Sequence, residues 1–593
     1  MRNYFFLFFV SFLSIHSNAQ KHDFKWLLGY SFADNPLDTG FGSSFIDFDT
    51  PSGNPLLYES KYKLIDFQIS SANICDSKGV YQFACNGGFV EGPNDKLMEN
   101  SDNLSEGLMY PLLGTSSSQA ILILPNPIST NQYFLFHKDL TYIDNYGLAN
   151  SELYYSLIDM NKNNGNGKMV VRKQSLLKDT LDDACLTAVR HANGRDWWVI
   201  ASEDTKISYY IYLVTSNQVK LIRKQEFAGF KSSGEGGQST FSNDGNYFVS
   251  SSVNHLFGHC NVFLSKFDRC IGQIVDSKLI KIYSWDGYYS GCSFSPDNKY
   301  LYVSTHDSLY QIEFKNDLSF SKNTVGYYDG FKERLTPNWV MATQFGMMQL
   351  APDGKIYNSG VGSTVKSIHV VNKPNKYGEE CNFLQHSVNS ATFKSCLPNF
   401  PNYRLGPIDG SLCDSLGIDN IPWSYWRYDQ DTVDYLNFEF TDLSAYNVED
   451  WFWDFGDISS GDKNKSNSVN PIHKFSSNGV YNVCLTVKNK FGYNTMCRTI
   501  NIGNVVKTKE KTFIPDIQFW PNPCKDYFVV NVADYNPEKM ILHLFDNQGK
   551  QLISQRLYQG SNIFNAEFLN LGEYHILIHE NGKELRTEKL VKL

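Results

Sequence analysis

Between Tyr288 and Phe314 short aromatic and β-branched runs alternate with polar turns. Ser290–Phe294, Tyr300–Thr305 and Leu309–Phe314 read as three strands, parted by Pro296-Asp297-Asn298 and His306-Asp307-Ser308. Proline presets φ at such a corner, and Asp and Asn tolerate the bent backbone and bond their own amides. A hairpin of this kind cannot bury its apolar face alone, so it needs neighbours. The chain repeats the unit, with turns at Gly79, Asn131, Gly194, Gly245, Asn298 and Gly354, at intervals of 52, 63, 51, 53 and 56 residues. The longest interval holds the Asn/Gly/Lys loop Asn161–Lys168.

Strand–turn–strand units at this period, without helical repeats between them, predict an all-β fold with a β-propeller over residues 24–410. Six turns favour six blades, with seven as the alternative. A ring removes the exposed edges that a linear stack would leave. The early strand Phe45–Phe48 is expected to complete the last blade, so that the two ends of the region zip together.

Further on, Tyr481, Val483, Leu485 and Val487 alternate as a half-buried strand does. Asn489-Lys490-Phe491-Gly492 turns the chain and Asn494–Ile502 returns. Cys484 and Cys497 lie on the paired arms of that hairpin, which makes them the candidate disulfide. Residues 504–512 are a charged linker, and residues 513–593 form a last strand-rich segment.

Composition narrows the class. Aromatics are 15% and charged residues 19% of 593, a mix suited to broad half-buried sheets. A net charge of −9 without a basic tract excludes a nucleic-acid partner. Residues 1–19 have the form of a secretory signal: Arg2, the apolar run Tyr4–Ile15, then Ser17-Asn18-Ala19 before Gln20. No other stretch is long and apolar enough for a transmembrane segment of the mature chain. Twelve cysteines in an exported chain point to disulfides, and their wide spacing, without C-x-x-C, argues against zinc.

Three stretches resemble known families. SSSQAILILPNP, VRHANGRDWWVI, FSPDNKYLYVS, QLAPDGKIY and LPNFPNYRLGP are similar to the propeller of large exported proteins of gliding-type Gram-negative bacteria, a family with no established activity. Trp451–Asp457 (WFWDFGD), Pro471–Phe475 and Gly479–Val487 resemble the polycystic-kidney-disease (PKD) repeat, which implies an immunoglobulin-like sandwich over residues 423–503. Phe519-Trp520-Pro521-Asn522-Pro523, the turn Asp546–Lys550, Leu571-Gly572-Glu573-Tyr574 and the final Glu588–Val591 resemble the type A C-terminal sorting domain of type IX secretion. That resemblance implies a small β-sandwich recognised by the type IX translocon, with Pro521, Asn522, Pro523, Gly572 and Tyr574 as the sorting motif, and a protein released or held at the outer-membrane surface. Cys524 departs from the family's usual small residue, and is expected to pair or to stay an exposed thiol.

Chemistry is less visible. The chain has no G-x-S-x-G, H-E-x-x-H, P-loop or dinucleotide fingerprint. His255 and His259 have a metal spacing only on a helix, and here they fall in a hairpin. Asp159–Gly165 lacks the Gly and Glu of a calcium loop. Asp244, Asp297 and Asp353 occupy equal turn positions and read as turn residues, as Asp454 and Asp457 read as loop-bonding ones. No catalytic residue, metal or cofactor is assigned. Trp197, Trp198 and Arg195, with Trp285, Tyr288 and Tyr289, are the candidate ligand-binding patch. The expected function is a secreted or cell-surface binding or adhesion protein, its propeller presenting on a PKD spacer a face that binds an extracellular glycan or a surface protein. The alternatives are a propeller enzyme acting on extracellular glycans or lactones, drawing on groups such as Asp183, Glu203, Asp204, Glu235 or Asp286, and a structural subunit of a surface assembly.

Overall fold

In the computed structural model, residues 20–593 are described except 31–41, 61–62, 107–113, 144–146, 205, 228–235, 255–257, 285–288, 337–338, 361–364, 504–516, 533–539, 559 and 581–582. The chain divides into two units, Met1–Asn501 and Ile502–Leu593.

The repeat is set by backbone sterics at its corners. Gly245 holds φ at +73°, and Asn298 at the equivalent corner holds +61°, a left-handed conformation that Gly adopts freely and Asn tolerates. Each corner joins two strands of a short antiparallel sheet. The first sheet is Lys25–Tyr30, Gly42–Asp47 and Leu56–Ser60, and the second Ala72–Cys75, Tyr81–Cys85 and Val90–Glu91. The next seven strands form one continuous sheet because Lys168–Arg190 serves two neighbours. Up to Leu181 it pairs with Gly147–Asp159, and from Leu181 onward with Trp197–Glu203. Register shifts along it re-aim the strand from one sheet to the next. Counted as two, that sheet is the third and fourth. The fifth begins at Gly237–Phe241, the sixth at Gly291–Phe294 and the seventh at Phe345–Leu350, each four-stranded.

Successive sheets pack leading strand against leading strand: Ala72–Cys75 on Ile121–Pro125, Lys168–Arg190 on Gly237–Phe241, then Gly291–Phe294 and Phe345–Leu350. Among the described residues, seven sheets of three or four strands, beside the hairpin Lys332–Thr336/Trp339–Ala342, thus follow in propeller order, the alternative to the six that the turns favoured. Gly42–Asp47, which contains most of the strand expected in the last blade, is the middle strand of the first sheet, between Lys25–Tyr30 and Leu56–Ser60. Pairing with a strand close in sequence closes a much shorter loop than pairing with the far end of the region. The expected zipping of the two ends is therefore not found: among the described residues no sheet takes strands from both. The last strand, Phe383–Lys394, instead packs on the first sheet side by side, Thr392 Oγ1 donating to Ser44 Oγ at 3.0 Å.

What ties the sheets together is the segment after that strand. Asn399 donates its backbone N–H to Ser71 O (3.1 Å) and its side-chain amide to Ile121 O (2.9 Å) and Leu186 O (2.8 Å), while accepting from Gln119. Gln349 Nε2 donates to Phe400 O, Tyr403 hydroxyl to Ile123 O, and Arg269 to Gly406 O. The brace from Leu397 to Gly406 thereby reaches the second, third, fourth, fifth and seventh sheets, with Phe400 and Tyr403 buried beneath it.

The PKD-like sandwich belongs to the same unit. Its sheets, Trp426–Gln430/Asn437–Asp442/Ile472–Lys474 and Lys465–Ser466/Asp450–Asp454/Gly479–Asn489/Gly492–Ile502, enclose Trp426, Phe440, Trp453, Phe455 and the alternating Tyr481, Val483, Leu485 and Val487. Cys484 and Cys497 are disulfide-bonded as the hairpin register suggests. The sandwich is no free-standing spacer. Trp423 and Tyr425 pack on Phe24 with ring centroids 6.0 and 5.2 Å apart, and Tyr425 hydroxyl donates to Phe48 O. Arg498 donates to Thr50 O and Pro51 O, and Arg427 to Asp353 O, each at 2.7 Å.

A second bridge, Cys270–Cys413, joins the hairpin corner of the fifth sheet to the linker before the sandwich. The other eight cysteines are free and buried, against the expectation of pairing throughout. They lie within sheet cores, where a thiol packs as a small apolar group.

The second unit is a two-sheet sandwich, Ile517–Trp520/Tyr527–Val532/Gly560–Asn565 facing Gln551–Arg556/Met540–Phe545/Gly572–Glu580/Lys583–Lys592. Phe528, Val530, Leu542, Leu544, Ile576 and Ile578 fill it. Asn522, between Pro521 and Pro523, latches the final strand: its amide donates to Lys589 O (2.6 Å) and accepts from Val591 N (2.9 Å). Gly572 opens the strand Gly572–Glu580, and Tyr574 hydroxyl donates to Asn570 O. Cys524 is neither paired nor exposed, because its backbone bonds Val591 and Leu593 and draws its side chain fully into the core.

Candidate functional site

Of the aromatic patch expected to bind ligand, the two described tryptophans are interior. Trp197 and Trp198 are 0% and 3% exposed. Successive residues of a strand point to opposite faces, and here both faces are covered by neighbouring sheets. Trp197 Nε1 donates to Pro125 O, and the Arg190 guanidinium lies 3.8 Å over its ring; Trp198 Nε1 donates to Arg269 O at 2.7 Å. Arg195, half-buried, grips Asp196 through Nε (2.8 Å) and Nη2 (3.0 Å). Tyr289 is half-buried, and burial pushes its phenol up to about 12. Trp285 and Tyr288 lie outside the described residues, as do His255, Glu235 and Asp286.

The carboxylates considered at the sequence level hold structure. Asp244 accepts from Ser242 Oγ and the Asn246 amide, Asp297 from Ser295 Oγ and Lys299 N, and Asp353 from Lys355 N and Tyr357 hydroxyl. Asp457 accepts from Ser476 N and Oγ, and Asp454 from Gly456 N. Asp183 accepts from Ser117 and Asn150, and its burial raises the carboxyl. Glu203 pairs with Lys224 at 2.8 Å.

The site that the geometry does build lies elsewhere, on the face formed by the corners of the fifth, sixth and seventh sheets. There the brace and the PKD-like sandwich rise beside those corners and enclose a cleft of about 810 Å³. The corners stand close to what covers them: a Cβ at Gly354 would meet Leu443 at 2.7 Å, and one at Gly245 would meet Leu405 at 2.8 Å. One wall is a ladder of amides. Asn243 N donates to Asn298 Oδ1 (2.7 Å), Asn402 Nδ2 to Asn243 O and Oδ1 (2.8 Å each), and Asp297 N to Asn375 Oδ1 (3.1 Å). The opposite wall comes from the sandwich, where Trp451 Nε1 donates to Asp442 (2.8 Å) beside Tyr446, Asn447 and Asn470.

Charge is balanced at the floor. Arg404 forms a two-pronged pair with Asp23, Nη1–Oδ1 2.5 Å and Nη2–Oδ2 2.7 Å. Arg269 donates to four backbone carbonyls, those of Arg190, His191, Asp244 and Gly406, and burial lowers it to about 10. The cleft therefore offers amides that both donate and accept, turn carboxylates engaged by their own backbone, and aromatic rings, among them Tyr446 and Trp451 from the sandwich. Among the described residues no group of three or more His, Cys, Asp or Glu could hold a metal ion. Sequence reasoning missed this site because its walls come from two modules, and no local motif signals a wall contributed by a distant part of the chain.

Comparison with known proteins agrees on the two C-terminal modules. Residues 428–503 match the family model of the PKD domain, and residues 518–593 that of the secretion system C-terminal sorting domain. No curated protein matches the chain. Among solved structures, a putative 6-phosphogluconolactonase from Bacteroides uniformis is similar at 12% identity over 63% of this chain and 99% of its own, with a TM-score of 0.39. Hydrazine synthase from Kuenenia stuttgartiensis is 12% identical over 59% of this chain and 90% of its own, TM-score 0.32. PorZ, a surface component of the type IX secretion system of Porphyromonas gingivalis, is 11% identical over 94% and 85%, TM-score 0.15. None of the three is near enough to bear on activity. The sorting domain marks the chain for export through the periplasm by the type IX route, to the cell surface or outer membrane. No helix among the described residues is long and apolar enough to cross a membrane.

Proposed function

We propose that the protein is a cell-surface binding protein whose ligand is an extracellular glycan, held in the cleft between the sheet corners and the PKD-like sandwich. The observation that carries this reading is the composition of the cleft walls. Asn243, Asn298, Asn402 and Asn470 stand with Trp451 and Tyr446 around a space of about 810 Å³, within the usual size of a small-ligand site. A primary amide carries two donors and an acceptor, which matches the paired donor and acceptor roles of sugar hydroxyls. An aromatic face offers the apolar surface on which a sugar ring can lie. The candidate ligand patch thus moves from the buried Trp197–Trp198 pair to residues that face open space.

The test is a glycan array probed with the secreted protein, followed by titration of the best binder into Trp451→Ala and Asn470→Ala. Loss of a well-packed aromatic contact is expected to weaken binding by about tenfold or more, on the order of 1.4 kcal/mol. Unchanged affinity in both variants, with the fold intact by circular dichroism, would exclude this cleft as the site. Capture of a surface protein with no glycan binding would favour an adhesion role toward protein.

A further inference from the structure

The outer face of the four-stranded sheet in the C-terminal unit carries an arrangement that neither the fold nor the sorting motif uses. Along Met540–Phe545, Leu542 and Leu544 point into the core, so His543 points out. Along Gly572–Glu580, Ile576 and Ile578 point in and His579 points out. The two strands are direct neighbours, with His543 opposite Leu577 and His579 opposite Ile541, which makes the histidines diagonal partners on one face. Their rings lie nearly parallel, 15° apart with centroids at 4.7 Å, and the two Nε2 atoms approach to 2.6 Å. A neutral N–H donor ordinarily keeps about 2.9–3.0 Å from its acceptor. Two imidazole nitrogens brought this close each direct a lone pair, or its proton, at one shared point.

We propose that His543 and His579 form a two-histidine site for a divalent transition-metal ion of the Zn²⁺, Ni²⁺ or Cu²⁺ class. Imidazole suits these ions, which hold nitrogen at about 2.0–2.1 Å. Two such bonds at 90–110° put the nitrogens about 3.0–3.4 Å apart, so small ring rotations that widen the pair by less than ~1 Å are enough. Both rings are half-buried. No third His, Cys, Asp or Glu joins them among the described residues. The remaining coordination positions fall to water or to a donor on another molecule. The ion would staple the two central strands of the sheet and leave an open coordination face on the module that carries the export signal.

Zn²⁺ is titrated calorimetrically into the full chain and into His543→Gln, His579→Gln and His575→Gln. His575 is exposed on the same strand and serves as the control. The wild type and His575→Gln are expected to bind one more equivalent than the other two, whose affinity at this site falls by at least the ~10-fold that loss of a mere outer-shell partner costs. Cu²⁺ bound to the wild type should show hyperfine coupling to two nitrogens in its electron paramagnetic resonance spectrum, a measurement that does not depend on how the variants fold. Identical stoichiometry and affinity across all four proteins, or Cu²⁺ coupled to fewer than two nitrogens, would overturn the proposal.

Discussion

Trp198 places its only polar atom on Arg269 O and its ring in a core with Ile200, Phe248 and Phe267. Replacing it by Ala removes that packing and leaves a cavity, which costs about 3–5 kcal/mol. Denaturant unfolding should register the loss, whereas a surface ligand residue would have changed stability little. Buried histidines give the molecule an acid limit. His22 and His137 are both lowered to about 4, mainly because burial disfavours the charged ring. In the unfolded chain an imidazole takes up its proton near pH 6.5. The unfolded state therefore gains protons first as pH falls, so the stability contributed by a neutral buried ring is complete above about 6.5 and drains away toward 4. Each ring is worth on the order of 3 kcal/mol at neutral pH. Unfolding midpoints at pH 7.5 and 5 should differ accordingly, and His137→Gln should shrink the difference.

The strand–corner–strand repeat was legible because its corners require a residue that tolerates positive φ, and only a few residue types do so. That constraint writes the same small signature into the chain each time. The first sheet carries such a corner at Gly53, φ +77°, but it stands 26 residues before Gly79, outside the 51–63-residue spacing of the others, so the strand around Phe45 carries no sign of its partner. The brace was recognisable as LPNFPNYRLGP but not as a brace, since most of its bonds have a backbone carbonyl at one end, which any sequence supplies. Asn399 makes its role testable. Asn399→Leu would strand two buried carbonyls, at about 1–3 kcal/mol each, and native-state proteolysis of the variant should begin at concentrations of protease that leave the wild type whole. A smaller effect on cleavage than on an exposed-loop substitution would mean that the brace is not what joins the sheets.

At the scale of the molecule, the PKD-like sandwich is packed onto the repeat region as part of one unit. Tyr425, Trp423 and Arg498 are seated on Phe24, Phe48 and Thr50, so a chain ending near residue 410 would expose the faces that they cover. Such a fragment should melt lower than residues 20–503 and bind a hydrophobic dye, and it should lose glycan binding because the cleft loses one wall. The sorting domain makes a separate expectation. Deleting residues 513–593 should leave the protein in the periplasm on fractionation, with the cleft and its ligand affinity unaltered.

Local steric and patterning rules operate within a few residues, and the sequence alone accordingly determined the β class, the corners, the alternation of Tyr481 to Val487 and the hairpin that makes Cys484 and Cys497 candidates, while the bond between them comes from the structure. The export module was plain from its resemblance, since Phe519–Pro523, Asp546–Lys550, Leu571–Tyr574 and Glu588–Val591 are each short contiguous stretches. Only the tertiary structure decided that Trp197 and Trp198 are interior, that the ends meet by packing rather than by strand pairing, and that a polar cleft opens between two modules. Those outcomes depend on which distant surfaces come to cover one another, and that depends on contacts between parts of the chain from 71 to 348 residues apart, for which no short stretch carries a sign.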